Sequence, residues 1–286
     1  MRLANLGNRP VLLTDGGAID LERASDGTFD PDFLEVYSRW DEVRDFAAAT
    51  TAFPAPYDPA SLGSPVPLPR QVFGIGLNYK DHAEETGVTL LPPEPVVFTK
   101  FPTCHTGPEA TVALPSSRVD FEVELVVVIG RRAERAAEAD GWGYVAGLTV
   151  GNDLSERTVQ LAGPVPQFSM GKSYPGFGPT GPAVVSLDEI PDPENLDISC
   201  RVGDEVLQSG NTKNLIFSVP ALVSRLSAIC TLLPGDVIWT GTPAGTGMGR
   251  KPERMLRPGE TLTSTIGGIG EISTRLVAAP GYIERD

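Results

Sequence analysis

The sequence predicts a β-rich mixed α/β protein, and three observations predict it. From Val72 onward the chain offers eight short stretches of strand character but only one long, convincing helix. Glycine (31) and proline (27) are both abundant without any repeat period, as expected of many short strands joined by tight turns. The length, 286 residues, suits one large domain or a main domain with a small appendage.

Taken in order, residues 1–65 read as a small N-terminal domain and linker. They hold the strand-like pieces "RPVLLT" and "GAIDLE" and an aromatic-dotted helix candidate, "DPDFLEVYSRWDEVRDFAAAT". "PAPYDPASLGSPVPLPRQ" follows, dense in proline and small residues, and marks a linker or an extended crossing strand. Residues 66–286 read as the main, strand-rich domain. Its strands are "QVFGIGLN", "PVVFTKF", "DFEVELVVVIG", "GYVAGLTVGND", "AVVSL", "DISCRVG", "DVIWTGT" and "EISTRLV". The helix is "SVPALVSRLSAICTLLPGD". Val219, Leu222, Val223, Leu226, Ile229 and Cys230 share one face, Ser218 can cap its start and Pro234-Gly235 ends it, so it should cover a sheet.

Composition excludes some partners. Hydrophobic residues are 41% and charged ones 21%, as in an ordinary globular protein. A formal net charge of -14 argues against nucleic acid or an anionic membrane as partner, although a few local cations can still dominate a pocket for a small anion. Cys104, Cys200 and Cys230 are widely spaced and odd in number, so neither a disulfide framework nor a CxxC metal site is expected. No apolar run reaches membrane-spanning length, and "MRLANLGNRPVLL" lacks a signal-peptide core. The expectation is a protein of the reducing cytoplasm.

The stretch "DFEVELVVVIG" raises the chemical question. Phe121, Val123, Leu125, Val127 and Ile129 form one apolar face, while the other begins with Glu122 and Glu124 and then turns apolar at Val126 and Val128. The two glutamates lie about 7 Å apart at Cα on the same face. Either this end of the strand is exposed, or a divalent cation removes their repulsion. Asp153, where "GYVAGLTVGND" leaves the sheet, offers a third oxygen ligand; an Asx turn or helix cap ahead of "LSERTVQ" accounts for it equally well. Three oxygen ligands without a cysteine cluster point to Mg2+ or Mn2+ rather than zinc.

Only two histidines are present, His82 and His105. In "GIGLNYKDHAEETG" a strand runs into a short helix that Gly87 can stop, with Asp81 as a candidate cap. Glu85 is three residues beyond His82 and shares its face, whereas Glu84 points away. A carboxylate one turn below an imidazole can fix its tautomer and make it a general base; a solvated surface ion pair is the alternative. Lys172, alone in "SMGKSYPGFGPTGP", could hold an anionic group or simply face solvent. "WTGTPAGTGMGRKP" lacks the phosphate-loop pattern, so nucleotide binding is not expected; its glycines do allow backbone amides and Thr242 to approach a ligand.

Together these pieces resemble the fumarylacetoacetate hydrolase family, in particular its short bacterial-type members. The matching stretches, in family order, are "GIGLNYKDHAEE", "VDFEVELVVVIG", "VAGLTVGNDLSER", "MGKSYPGFGPTGP", "GNTKNLIFSVPALVSRLS", "LLPGDVIWTGTPAGTG" and "IGGIGEIS". The resemblance implies a mixed β-sandwich roll as catalytic domain behind a small variable N-terminal domain, usually as a homodimer. It implies Mg2+ or Mn2+ on Glu122, Glu124 and Asp153, and His82 with Glu85 as a water-activating dyad. Lys172, Arg157 and Thr242 match positions that touch the substrate or its carboxylate, and Asn78, Tyr79 and Gln160 are read as further substrate contacts.

The implied reaction is metal-dependent cleavage of a carbon–carbon bond in an acylpyruvate or another 1,3-diketone acid. His82 would activate water and Lys172 would stabilise the oxyanion. The alternative uses the same enolate without water attack: decarboxylation, tautomerisation or isomerisation of a 2-oxo acid of the oxaloacetate type. Two departures from the family pattern, Pro175 and Thr158 where the family often has aspartate, are expected near the substrate pocket and leave substrate identity open.

Overall fold

A computed structural model describes residues 1–85, 87 and 90–285. Its architecture is set by the strand Val123–Ile129, buried along its whole length. The strand lies inside an 11-stranded mixed sheet. The order across nine of its strands is Gly17–Asp20, Arg9–Thr14, Arg2–Leu6, Gly178–Ser186, Val145–Asn152, Val123–Ile129, Val237–Trp239, Val72–Gly76 and Val96–Phe98, with Leu62–Gly63 paired to Arg2–Leu6 and His105–Thr106 to Gly178–Ser186 off this path. A five-stranded sheet, Glu205–Asn211, Asp197–Val202, Thr261–Ile266, Gly270–Ile283 and Glu109–Ser116, packs on it. This is the strand-rich sandwich that the sequence predicts.

Period two divides the central strand between two cores. Val123, Leu125, Val127 and Ile129 pack with Ile198, Leu262 and Ile272 of the smaller sheet and with Leu222 and Leu226 of the helix Val219–Ser227. Val126 and Val128 face the other way, onto Trp239 and the N-terminal Leu3, Tyr37 and Trp40. Each such aliphatic side chain contributes roughly 1.5–3 kcal/mol when fully buried. Glu122 and Glu124 belong to this second face. The apolar cover ends before it reaches them, which is why one face of one strand carries both carboxylates and valines.

Residues 1–65 are continuous with this framework: Arg2–Leu6 pairs antiparallel with Gly178–Ser186, so the N-terminal strands extend the large sheet. The helix expected within 30–50 is two, Phe33–Ser38 and Trp40–Ala49, broken at Arg39. The long helix starts as expected, with Ser218 Oγ accepting from the Ala221 N–H at 3.3 Å, but it stops at Ser227. Ile229 and Cys230 are exposed rather than on its buried face.

Candidate active site

The site lies where the Glu122 end of the central strand meets three loops. Asp153 follows directly from the neighbouring strand, its N–H donating to the Glu122 carbonyl at 2.7 Å. Asn152 fixes the register from the side, its Oδ1 accepting from the Glu122 N–H at 3.0 Å. Gly151, opposite Glu124, leaves room for Trp239 to lie across it: a Cβ there would stand 2.6 Å from the indole.

Ligand oxygens of Glu122, Glu124 and Asp153 all lie within 4.8 Å of one another, and all three residues are buried. Asp153 forms no side-chain cap. Its oxygens accept from Lys100 Nζ at 2.6 Å and Lys172 Nζ at 2.7 Å, so the Asx-turn alternative is not what the structure shows. Lys172 Nζ also donates to Glu122 Oε2 at 2.7 Å and to Ser155 Oγ at 2.8 Å. Arg157 donates through Nε and Nη2 to Asp120 Oδ2 and through Nη2 to Glu122 Oε1 at 2.7 Å, while Nη1 reaches Gln160 Oε1 at 2.7 Å.

The electrostatics are unbalanced in an informative way. Burial would raise Glu122, but Lys172 and Arg157 beside it hold its carboxyl down at about 2. Glu124 is pushed well above the carboxylate range by burial and by the charges of Asp153 and Glu122; the Gly241 N–H, 2.8 Å from its Oε2, offsets little of this. Of the buried charges gathered here, the carboxylates Asp120, Glu122, Glu124 and Asp153 number four against the three cations Lys100, Lys172 and Arg157. Counted as formal charges, the anions exceed the cations by one, and the raised carboxyl of Glu124 marks where that excess is least tolerated. A divalent ion fits that deficit, since an all-oxygen site at ligand distances of about 2.0–2.1 Å suits Mg2+ and Mn2+. It would also turn the local sum positive, favouring an anionic ligand.

The second half of the site is the short helix Lys80–Glu85. His82 Nδ1 donates to Glu85 Oε2 at 3.0 Å, while Glu84 is exposed. Asp81 lies inside the helix rather than ahead of it, its Oδ1 accepting from the His82 N–H at 2.9 Å. Thr86, one residue further in the expected helical stretch, falls outside the described residues. Glu85 is also held by the glycine loop, its Oε1 accepting from the Gly245 N–H at 2.9 Å. Partial burial would raise Glu85, yet the bonds from His82 and Gly245 prevail and keep it below its ordinary value.

A cavity of about 230 Å³ joins the two halves, lined by His82, Glu122, Glu124, Arg157, Gln160, Lys172 and Thr242 together with apolar side chains. Not every residue expected to touch substrate is placed to do so. Asn78 spends its amide on backbone, donating to Thr240 O at 2.8 Å and Phe217 O at 3.1 Å and accepting from Phe217 N–H at 2.8 Å. Tyr79 is fully buried and does not line the cavity; burial and then the charges of Glu124 and Asp81 raise its phenol. The Thr242 hydroxyl donates to Val123 O at 2.9 Å and accepts from Gln208 Nε2 at 2.8 Å. Pro175 and Thr158 are exposed and do not themselves line the cavity, although Thr158 lies between the lining residues Arg157 and Gln160.

Three contributors escaped the sequence reading. Lys100 is completely buried, donating to Asp153, to the Lys172 carbonyl and to Phe177 O at 3.1 Å, with its ammonium 5.4 Å from the Trp239 ring centroid. Asp120 ties Arg157 to the glycine loop by accepting from Gly247 N–H at 2.7 Å and Met248 N–H at 3.0 Å. Gln208 braces the carboxylate strand, its Oε1 accepting from Val123 N–H at 3.0 Å. Asp120 was visible as the first member of an acid series at period two, Asp120, Glu122, Glu124. Lys100 gave no local sign, because its acceptors lie 53, 72 and 77 residues away.

Comparison with known proteins agrees with this arrangement. The mitochondrial oxaloacetate tautomerase FAHD2A of Bos taurus is 39% identical over 271 residues, covering 92% of this chain and 84% of that protein. A crystal structure from Mycobacterium smegmatis, assigned provisionally as HpcE, superposes with a TM-score of 0.92 at 49% identity, covering 98% of this chain and 100% of the other. The maleylpyruvate hydrolase of Sphingobium sp. SYK-6, solved with manganese(II) and pyruvate, has a TM-score of 0.80 at 26% identity, over 98% of this chain and 100% of its own. Residues 71–277, which hold the carboxylates, both lysines and the dyad, match the fumarylacetoacetate (FAA) hydrolase C-terminal family, and the chain belongs to that family.

Proposed function

We propose that this protein is a divalent-metal-dependent tautomerase of 2-oxo acids of the oxaloacetate type. The observation that carries the reading is the 39% identity, across 92% of the chain, to proteins named as oxaloacetate tautomerases. It reverses the order of the two reactions that the sequence suggested. In the tautomerisation one O–H bond breaks and one C3–H bond forms as C=C gives way to C=O; no water is consumed and no electrons are exchanged.

Glu122, Glu124 and Asp153 would hold an Mg2+ or Mn2+ ion, which would supply Lewis acidity toward the oxygens of a 2-oxo acid. Lys172 and Arg157, fixed by those same carboxylates and by Asp120, keep positive charge at the cavity floor for the substrate carboxylate. His82, oriented through Nδ1 by Glu85, carries the transferred proton on Nε2, the ring nitrogen opposite that bond. Lys100 and Gln208 hold the floor rigid behind them. The same dyad favours a second reading, cleavage of an acylpyruvate by His82-activated water.

We further propose a homodimer, on family resemblance. No described helix is long and apolar enough to cross a membrane, and the FAHD2A relatives are mitochondrial by name, so a cytoplasmic location stays a proposal. The deciding experiment follows enol-oxaloacetate and an acylpyruvate in parallel with manganese. Metal-dependent loss of the enol without carbon–carbon cleavage is expected; faster release of pyruvate from the acylpyruvate overturns the assignment in favour of hydrolysis.

A further inference from the structure

We infer that two aromatic rings seat the two buried lysines of the site, and that Phe98 is the residue that positions Lys172 toward an anionic substrate. The inference rests on the reading above in which Lys172 keeps positive charge for the substrate carboxylate. It gives a role to Phe98, Trp239 and the glycines beneath them.

The seats form one row across the large sheet. Val126 stands opposite Trp239, Trp239 beside Gly74, and Gly74 opposite Phe98. Each ring lies on a glycine of a neighbouring strand. A Cβ on Gly74 would stand 2.3 Å from the Phe98 ring, and one on Gly151 2.6 Å from that of Trp239. Each ring in turn carries one lysine. Lys172 Nζ is 5.1 Å from the Phe98 centroid, and Lys100 Nζ is 5.4 Å from the Trp239 centroid. Glycine, ring and ammonium thus recur in the same order twice, side by side. Phe98 lies on the outermost strand, where Val96 and Val97 are exposed. Its own ring is half-buried and braced edge to face by Phe168, with centroids 5.7 Å apart.

The chemistry explains why a ring is used. An ammonium has three protons. Those of Lys172 go to Glu122, Asp153 and Ser155. Those of Lys100 go to Asp153 and the carbonyls of Lys172 and Phe177. Another carboxylate beside Lys172 would cancel its charge, and an aliphatic chain would not attract it. An aromatic face attracts the cation through its quadrupole yet carries no net charge, so the field of Lys172 in the cavity survives. Phe98 and Lys172 line that cavity together. Metal loading makes the seat matter more. All four oxygens of Glu122 and Asp153 already accept an N–H from Arg157, Lys172 or Lys100. Those same carboxylates would bind the divalent ion, so their hold on Lys172 loosens on loading. The ring is the neighbour that loading leaves alone.

The test reads the lysines first, without metal or substrate. The chain has five, of which Lys80, Lys213 and Lys251 are exposed. With 13C at Cε, NMR should show the Lys100 and Lys172 methylene protons shifted upfield by ring currents. Phe98→Leu should return Lys172 alone to the position of the exposed lysines. Gly74→Ala, which forces the ring off its seat, should do the same. Calorimetry of oxalate against the manganese-loaded protein then reads the anion site. Phe98→Leu should weaken oxalate about threefold to thirtyfold, the range that a cation–π contact spans. Stepwise fluorination of the Phe98 ring, which drains its face of negative charge at nearly constant shape, should weaken oxalate in step. If the wild type turns over no enol-oxaloacetate while the lysine signal and oxalate respond as expected, the tautomerase reading fails and the seat stands. An unmoved Lys172 signal or wild-type oxalate affinity in a folded Phe98→Leu protein overturns the inference. So does a flat response to fluorination, or no oxalate binding by the loaded wild type.

Discussion

Replacing His105 with phenylalanine should remove a specific acid sensitivity of the fold. The residue as a whole is only partly shielded, but both ring nitrogens are closed off from solvent and have no hydrogen-bond partner among the described residues. The ring stands edge-on to Trp239 at 5.8 Å. Burial, and after it the nearby Lys100 charge, depress the imidazole from 6.5 to about 4, with the Val66 backbone pulling weakly the other way. The folded chain therefore refuses a proton that the unfolded chain accepts. Stability from this group is intact above about pH 6.5, declines as pH falls, and is fully lost below about pH 4. The depression corresponds to about 3 kcal/mol in total, of which about 2 kcal/mol is already lost at pH 5. Urea unfolding of wild type and His105→Phe between pH 7.5 and 5 measures it. The carboxylates titrate in both proteins and cancel in the difference, and with two histidines in the chain only His82 remains in the variant. The variant should lose about 2 kcal/mol less than wild type over this range. Parallel profiles would refute the claim that His105 is held neutral by burial.

Lys100→Met should cost about 3–5 kcal/mol, because it leaves one side of a buried ion pair uncompensated; a loss below 1 kcal/mol in denaturant melts would show Lys100 to be dispensable. Glu122→Gln and Asp153→Asn should each abolish tight manganese binding and turnover, and wild-type affinity by calorimetry in both would move the metal elsewhere. Glu85→Gln should slow proton transfer by roughly 10² to 10⁴ while Glu84→Gln stays near wild type, as general-base contributions go. Gly249→Ala should mimic Glu85→Gln, since a Cβ there would lie 2.5 Å from the Glu85 carboxyl carbon; equal rates for Gly249→Ala and wild type would show that Glu85 need not be held there.

What the sequence made legible was whatever is periodic or local. The two-faced strand at Asp120–Ile129, the i,i+3 relation of His82 to Glu85 and the Ser218 cap all follow from spacing along a few residues. Strands of the smaller sheet such as Thr261–Ile266 and Glu205–Asn211 were harder to see, because their outer residues are polar and their pattern weak. Helix ends were overrun, since continued apolar residues at Ile229 and Cys230 say nothing about whether a neighbour is there to cover them. The deeper omissions are topological. Asn78 and Thr242 were read as ligand contacts along with the family resemblance, and Thr242 does line the cavity. Their polar atoms are in fact bonded to backbone more than 100 residues away, a pairing that only the closed sheet creates.

The two halves of the site are built on unequal foundations, and this bears on how such proteins diverge. The carboxylates stand at the ends of the central strands and bind the buried lysines there, so a change among them endangers folding as well as chemistry. The dyad rides on a six-residue helix, Lys80–Glu85, moored by Asn78 behind it and by one glycine-loop amide at Glu85. On the proposed reading, substitutions in that helix and loop would act on the proton-transfer dyad while leaving the buried carboxylate floor in place. If so, water attack and simple proton transfer would differ only in these two short segments, with the buried floor common to both.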